Sequence, residues 1–371
     1  MHSLRYTLPL LLLSALFLCA CEPRESALAG APKLLAFSEP KIVTLPTKIK
    51  NSSDKLFADV DCDSIPDLID FTDSNWVYEG SQAQVYLGTK NDLGLLEFSE
   101  NSSFKIDIPL GSSLVTPVEL IKSADINGDG CDDFVTANYS HATFKLLVAL
   151  NQGEGRKFIQ ASKFNKGASP LDENLLALVK TLADKNSIAN ENITDLIRVD
   201  WADANDDGRD DLHIFSYASQ SLDLAILYSG DLAKSRTSFY LHRAKRTEVR
   251  AFLSYNRFTY LPIKTLQTTD LNGDRLSDLV LYIKVGNNLT LFAAYNVKNE
   301  EVLRYQALAT IHSDDINTKY LDFQTIDFVD VNFDGCADYA HLGVINQLTI
   351  NNKIEKNVKV GSYKIANCEK L

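Results

Sequence analysis

The stretch DINGDGCDD, residues 125–133, places five carboxylate or amide side chains in nine positions, interrupted by Gly128 and Gly130. One such stretch can be a solvated turn, because Asp, Asn and Gly favour turns without any ion. This one recurs. The chain also reads DVDCDSIPD at 59–67, DANDDGRDD at 203–211, DLNGDRLSD at 270–278 and DVNFDGCAD at 330–338. Positions 1, 5 and 9 are Asp in every copy: Asp59, Asp63, Asp67; Asp125, Asp129, Asp133; Asp203, Asp207, Asp211; Asp270, Asp274, Asp278; Asp330, Asp334, Asp338. Position 3 is Asp61 in the first copy, then Asn127, Asn205, Asn272 and Asn332. Self-similarity in one phase marks a repeat architecture.

Hard oxygen ligands at alternate positions of a tight loop are what Ca²⁺ requires, six to eight of them at about 2.3–2.6 Å. Side chains at positions 1, 3 and 5 would point inward from a curled backbone, with a carbonyl at position 7 and the Asp at position 9 closing the shell. Gly130, Gly208 and Gly335 stand at position 6, where the turn calls for positive φ. An EF-hand is excluded, because it needs a Glu at position 12. That position holds Asp70, Thr136, Ile214, Leu281 and His341. The segments that follow, such as DFVTANY and DLVLYIKV, are rich in β-branched and aromatic residues and read as strands.

The repeated loop and its flanks resemble the FG-GAP/VCBS repeats of integrin α-chains and bacterial surface proteins. In that family DxDxDGxxD loops bind Ca²⁺ within the blades of a β-propeller. The resemblance runs over about residues 55–360 and includes a further strand and turn after each loop, at 85–94, 146–158, 224–231, 289–296 and 348–353. Two copies depart from the pattern. The first has Ser64 at position 6 and Pro66 at position 8, and the fourth has Arg275 where glycine is expected. Position-1 residues stand 66, 78, 67 and 60 residues apart, a period that fits four-stranded blades. The expectation is an all-β fold: a five-bladed β-propeller whose DxDxDGxxD loops bind calcium. The longest spacing contains SPLDENLLALVKTLADKN, 169–186, which has an N-cap Ser, a first-turn Pro and an apolar stripe. It predicts one inserted helix.

The N-terminus, MHSLRYTLPLLLLSALFLCACEPRES, has one early cation, Arg5, and an apolar run from Leu8 to Leu18 that is short for a bilayer span. Leu18-Cys19-Ala20-Cys21 resembles the bacterial lipobox, which implies cleavage after Ala20 and lipidation of Cys21. Glu22, rather than Asp, resembles the outer-membrane sorting class. The expected organisation is a signal peptide at 1–20, a lipidated tether at 21–38 and a propeller at 39–371. The expected location is the bacterial cell envelope, on a lipid anchor at the outer membrane. Four cysteines then remain, Cys62, Cys131, Cys336 and Cys368, an even number in an exported chain. On a ring of blades, Cys62–Cys131 and Cys336–Cys368 are the expected disulfides, with Cys62–Cys336 as the rival if blades one and five meet.

Composition agrees with strands: 15 Tyr and 18 Phe stand against two Trp and one Met. The net charge of −12 argues against nucleic acid, which needs a basic footprint. Removal of Arg5 with the leader brings it to −13, and five calcium ions would reduce that to about −3, so the acidity reflects metal ligands.

In the resembling family, ligands meet the face opposite the calcium loops. On that analogy the informative segments are 72–84, 138–144, 217–224 and 242–260, with Trp76, Tyr78, Tyr139, Tyr217, Tyr255 and Tyr260 as stacking faces. Arg243, Lys245, Arg246, Arg250 and Arg257 form one basic cluster. A protein or glycan ligand is expected, and the function read is a calcium-stabilised binding or scaffold lipoprotein. The alternative is a calcium-dependent polysaccharide-degrading enzyme, lyase-like, on the same scaffold. The chain holds neither GxSxG nor HExxH, and His213 and His341, each just after a loop, read as strand residues.

Overall fold

The structure is a computed structural model. It describes residues 38, 41–49, 55–71, 76–77, 82–110, 116–117, 121–140, 143–153, 156–160, 197–218, 221–229, 241–248, 266–285, 288–297, 304–312, 325–350 and 353–366. These all belong to one compact unit, Leu34–Leu371. They form strands and loops, with no helix among the described residues. The expected helix at 169–186, the lipidation site at Cys21 and the tether up to residue 37 lie outside them.

The strands pair antiparallel into five four-stranded sheets and one two-stranded ribbon. In the first sheet, β2 (Lys55–Ala58), β3 (Asp67–Asp70), β5 (Gln82–Lys90) and β6 (Leu96–Asp107) lie in that order. The second holds β8 (Ile121–Ala124), β9 (Asp133–Ser140), β10 (Thr143–Asn151) and β11 (Phe158–Gln160). The third holds β12 (Ile197–Ala202), β13 (Asp211–Ala218), β14 (Ser221–Ser229) and β15 (Leu241–Glu248). The fourth holds β16 (Leu266–Thr269), β17 (Asp278–Val285), β18 (Asn288–Val297) and β19 (Arg304–His312). The ribbon pairs β4 (Trp76–Val77) with β7 (Thr116–Pro117).

The fifth sheet breaks the sequential pattern. It runs β20 (Thr325–Val329), β21 (Asp338–Ile350), β22 (Lys353–Lys364) and then β1 (Lys41–Thr44), so an N-terminal strand completes the last sheet. Lys41 faces Tyr363 and Thr44 faces Val360. The chain between β1 and β2 is tied down on both sides. Leu45 N–H donates to the Lys359 carbonyl at 3.0 Å, and the Lys359 ammonium donates to the carbonyls of Thr47 and Ile49. Glu100 accepts from Thr47 Oγ1 at 2.6 Å and from Lys48 N–H at 3.1 Å.

The first strands of the sheets neighbour one another in succession: β2 with β8, β8 with β12, β12 with β16, β16 with β20, and β20 with β2. Strand alternation explains how one sheet can serve two neighbours. In the first sheet Ile69, Val85 and Ile106 face a cluster with Phe134, Ala149 and Phe158 of the second sheet. Their chain neighbours Leu68 and Tyr86 face the other way, into a cluster with Val331, Leu342 and Tyr363 of the fifth. Each fully buried Val, Leu, Ile or Phe contributes about 1.5–3 kcal/mol. Both faces of this sheet are therefore core, and its strands are apolar at consecutive positions.

Candidate metal centres

Every acidic motif occupies the same place: it joins the first strand of a sheet to the second, and its position-9 Asp opens that second strand. The position-1 carboxylate organises the turn. Asp125 accepts Gly128 N–H and Asp129 N–H on Oδ1 at 2.8 and 3.1 Å, and Gly130 N–H on Oδ2 at 2.8 Å. Asp270 does the same for Gly273, Asp274 and Arg275, and Asp330 for Phe333, Asp334 and Gly335. Asp203 receives Asp206, Asp207 and Gly208, and Asp59 receives Asp63 and Ser64.

This curl demands positive φ at position 6 in all five copies: Gly130 (84°), Gly208 (79°), Gly335 (91°), and also Ser64 (67°) and Arg275 (67°). Position 4 is left-handed as well, in Cys62, Gly128, Asp206, Gly273 and Phe333. Only position 6 was legible as a glycine site, since Cys62, Asp206 and Phe333 fill position 4 in three of the five copies. A non-Gly residue there costs about 1–2 kcal/mol. Arg275→Gly is therefore expected to raise stability by about 1 kcal/mol. Gly130→Ala is expected to lower it by a similar amount, although open space surrounds a Cβ there. Denaturation midpoints at fixed calcium check both signs. An unchanged Arg275→Gly midpoint would show that the side chain offsets the strain.

The position-9 Asp is the buried hub. Its Oδ2 accepts the N–H of position 2: Val60, Ile126, Ala204, Leu271 and Val331, at 2.9–3.4 Å. Its Oδ1 accepts a backbone N–H from later in the same sheet: Gly88, Asn151, Ser229, Asn296 and Ala366, at 2.6–2.7 Å. Burial pushes these acids up, Asp67 and Asp338 to about 7 and Asp211 to about 8, with Asp133 and Asp278 also well above the usual range. Burial likewise raises Asp59 and Asp125 to about 6.

The donor set fits a hard divalent cation best in the first loop. Oxygens of Asp59, Asp61 and Asp67 lie within 4.8 Å of one another, the span of oxygens about 2.4 Å from a common centre. Asp61 Oδ1 is buried with no hydrogen-bond partner. In the other four loops the position-3 amide donates Nδ2–H to the position-5 carboxylate, as Asn332 does to Asp334 at 2.9 Å. An ion there would turn the amide oxygen inward. The first loop, despite Ser64 and Pro66, is thus the most concentrated carboxylate site.

The loops are also stitched to one another. Position-8 N–H donates to the position-1 carbonyl of the preceding loop: Asp132 to Asp59, Asp210 to Asp125, Ser277 to Asp203 and Ala337 to Asp270, at 2.7–2.8 Å. Asp132 and Asp210 return the bond, accepting Asp59 N–H and Asp125 N–H at 2.8 Å. Asn151 and Asn296 reach back to the position-2 carbonyls of Val60 and Ala204. Between the fifth and first sheets neither device is possible, because Pro66 has no N–H and Gly88 stands where Asn151 and Asn296 do. A side chain at Gly88 would overlap the Pro66 carbonyl at 2.2 Å. Leu96 N–H donates to the Val331 carbonyl instead, at 2.8 Å.

Cys62 and Cys131 form a disulfide between the first two loops, with Cα atoms 4.5 Å apart. Because Cys62 is taken by Cys131, the Cys62–Cys336 alternative is excluded; Cys336 is also disulfide-bonded, and Cys368 lies outside the described residues. Cutting the Cys62–Cys131 bridge, which spans 69 residues, is expected to cost roughly 4 kcal/mol. Denaturation of Cys62→Ser/Cys131→Ser measures it, and a loss below about 1 kcal/mol would mean the stitches alone hold this seam.

His213 is fully buried between the third and fourth sheets, with Nε2 3.1 Å from Ser277 Oγ and Nδ1 3.1 Å from the Asp211 carbonyl. Burial lowers its pKa to about 4, so it is neutral and structural. Trp76, Tyr139, Tyr217, Arg243, Lys245 and Arg246 lie on strands, whereas Tyr78, Arg250, Tyr255, Arg257 and Tyr260 fall outside the described residues. No protein-family model matches the chain, and no curated protein is significantly similar to it.

Proposed function

We propose that the chain is a calcium-stabilised binding or scaffold lipoprotein of the bacterial cell envelope, built as a five-bladed β-propeller of the FG-GAP/VCBS kind. The observation that carries the calcium reading is the fivefold recurrence of one loop geometry, with carboxylates at positions 1, 5 and 9 at the same sheet junction. The propeller reading is supported by the succession of first strands that returns from β20 to β2, and by β1 completing the last sheet. Full closure of this kind leaves only short, protected edges. When bound, calcium would neutralise carboxylates that burial otherwise penalises. The loops would then serve as struts, leaving the opposite connections to meet a protein or glycan.

The anchor reading rests on the lipobox-like Leu18–Cys21. Cys21→Ser is expected to move the protein from the membrane to the soluble fraction and to abolish acyl labelling. Retention in the membrane fraction would overturn it. Glycan-array binding without turnover of acidic polysaccharides is the expected behaviour of the purified protein, and turnover would favour the lyase alternative.

A further inference from the structure

At three seams, position 4 of one loop and position 7 of the next come together. Between the second and third loops, Arg209 lies over Gly128, 2.9 Å from where a Cβ would stand. Between the fifth and first, Phe333 and Ile65 pack against one apolar cluster. Between the first and second, the pair is Cys62 and Cys131, and there the contact is covalent.

That bridge sits inside both loops. Cys62 stands between Asp61 and Asp63, positions 3 and 5 of the first loop, with φ at 68°. A side chain in that region costs about 1–2 kcal/mol, so the residue needs holding. Cys131 is position 7 of the second loop, the place of the expected carbonyl ligand, and its N–H donates to Asp129 Oδ1 at 3.1 Å. Beside the bridge, Asp132 N–H donates to the Asp59 carbonyl at 2.7 Å, and Asp59 N–H donates to Asp132 Oδ2 at 2.8 Å. The bridge and these two bonds clamp positions 1 and 4 of the first loop onto positions 7 and 8 of the second. Opening the bridge frees position 4. Its left-handed strain, added to that of Ser64, then works against the curl that converges Asp59, Asp61 and Asp67.

We propose that the Cys62–Cys131 bridge is a redox latch on calcium binding. Closed, it preorganises the first loop around its ligands; open, it lowers the calcium affinity there. The inference rests on the calcium reading above. By reciprocity, calcium makes the bridge harder to reduce by the same factor. Exposure sets the order of attack: Cys131 is 2 % exposed and Cys62 is half-buried. A thiolate of a dithiol reductant attacks Cys62 Sγ, the Cys62–Cys131 bond breaks, and Cys131 leaves with the electron pair and takes up a proton. The reductant's second thiol then closes on the first, releasing Cys62 as a thiol. The dithiol ends as a disulfide, having given two electrons and two protons.

Calcium isotherms of the oxidised full chain and of oxidised Cys62→Ser/Cys131→Ser test the latch. The variant is expected to bind at least about tenfold more weakly at one or two of the five loops, with the others unchanged. Dithiothreitol should weaken the same sites in the unmodified chain and leave them unaltered in the variant. A second measurement needs no variant. Peptide mapping of the Cys62–Cys131 bridge in dithiol buffers of graded potential gives its midpoint, and calcium is expected to lower it by about 30 mV, a tenfold change for two electrons. Identical isotherms with and without the bridge, equal weakening of every site, or a midpoint that calcium does not move would each overturn the proposal. Tight calcium binding in both forms would remove the latch alone, whereas no calcium binding in either would remove the metal reading with it.

Discussion

Calcium is expected to raise the melting temperature of this protein by more than about 10 °C over the chelated form. Each site that binds only the folded state contributes about 2.7 kcal/mol at a hundredfold excess over Kd, and the loops are repeated five times. The effect should depend on pH with a definite sign. Position-9 and position-1 acids have folded pKa values raised by burial, to about 8 for Asp211, about 7 for Asp67 and Asp338, and about 6 for Asp59 and Asp125. A raised carboxylate binds its proton more tightly in the folded state. Its contribution is complete below the unfolded value near 4 and disappears as pH rises through the folded value. Chelated protein should therefore lose stability between about pH 4 and pH 8, most steeply between about 5 and 6, where these acids hold their protons only in the folded state. Calcium requires the ionised forms, so the gap between loaded and chelated protein should widen over the same interval. Melting curves at pH 5 and pH 8, with and without chelator, decide it. Coincident curves at pH 8 for metal-free and calcium-saturated protein would sink the calcium reading.

Asp133→Ala is expected to be the most damaging single change in a loop, at about 5 kcal/mol in calcium. It removes a buried carboxylate that receives Ile126 N–H and Asn151 N–H, and so orphans two backbone donors at about 1–3 kcal/mol each. Most of that loss should survive chelation, because the bonds exist without a metal. Asp129→Ala offers the contrast. Asp129 is more accessible and accepts Cys131 N–H and the Asn127 amide within its own turn. Its substitution should cost stability in calcium and little in chelator. Asp274→Ala, in the loop strained by Arg275, should cost less than Asp129→Ala in calcium. Urea denaturation of the variants with and without metal separates the two roles of the carboxylates. Equal losses for Asp133→Ala and Asp129→Ala in chelator would show that the position-9 hub is no more than a ligand.

The loops were legible because their chemistry is local. A carboxylate at position 1 captures N–H groups three to five residues ahead, so spacing alone reveals Asp125, Asn127, Asp129 and Asp133 as one unit. The strands after each loop were legible for the same reason, since alternation and β-branching act over a few residues. The position-4 left-handed turn was hidden, because Cys62, Asp206 and Phe333 give no glycine signal and only the closed curl requires it.

What joins the repeats was not legible in the same way. Cys62–Cys131 followed from adjacency of two loops, once a ring was supposed, and the bridge is there. That Asp132, Asp210, Ser277 and Ala337 clasp the preceding loop through their N–H groups depends on how sheets stack, which no window of sequence contains. Pro66 then takes on meaning: it falls at the one junction where chain order gives no preceding loop. There β1, Lys359 and the Leu96 N–H take over, contacts that join residues more than 200 positions apart. By itself the sequence determined the repeated acidic loop and the strands that follow it, because bonds within a turn depend only on near neighbours. The junction of last sheet to first belongs to the tertiary structure. It arises from backbone groups and burial that converge only when distant segments pack.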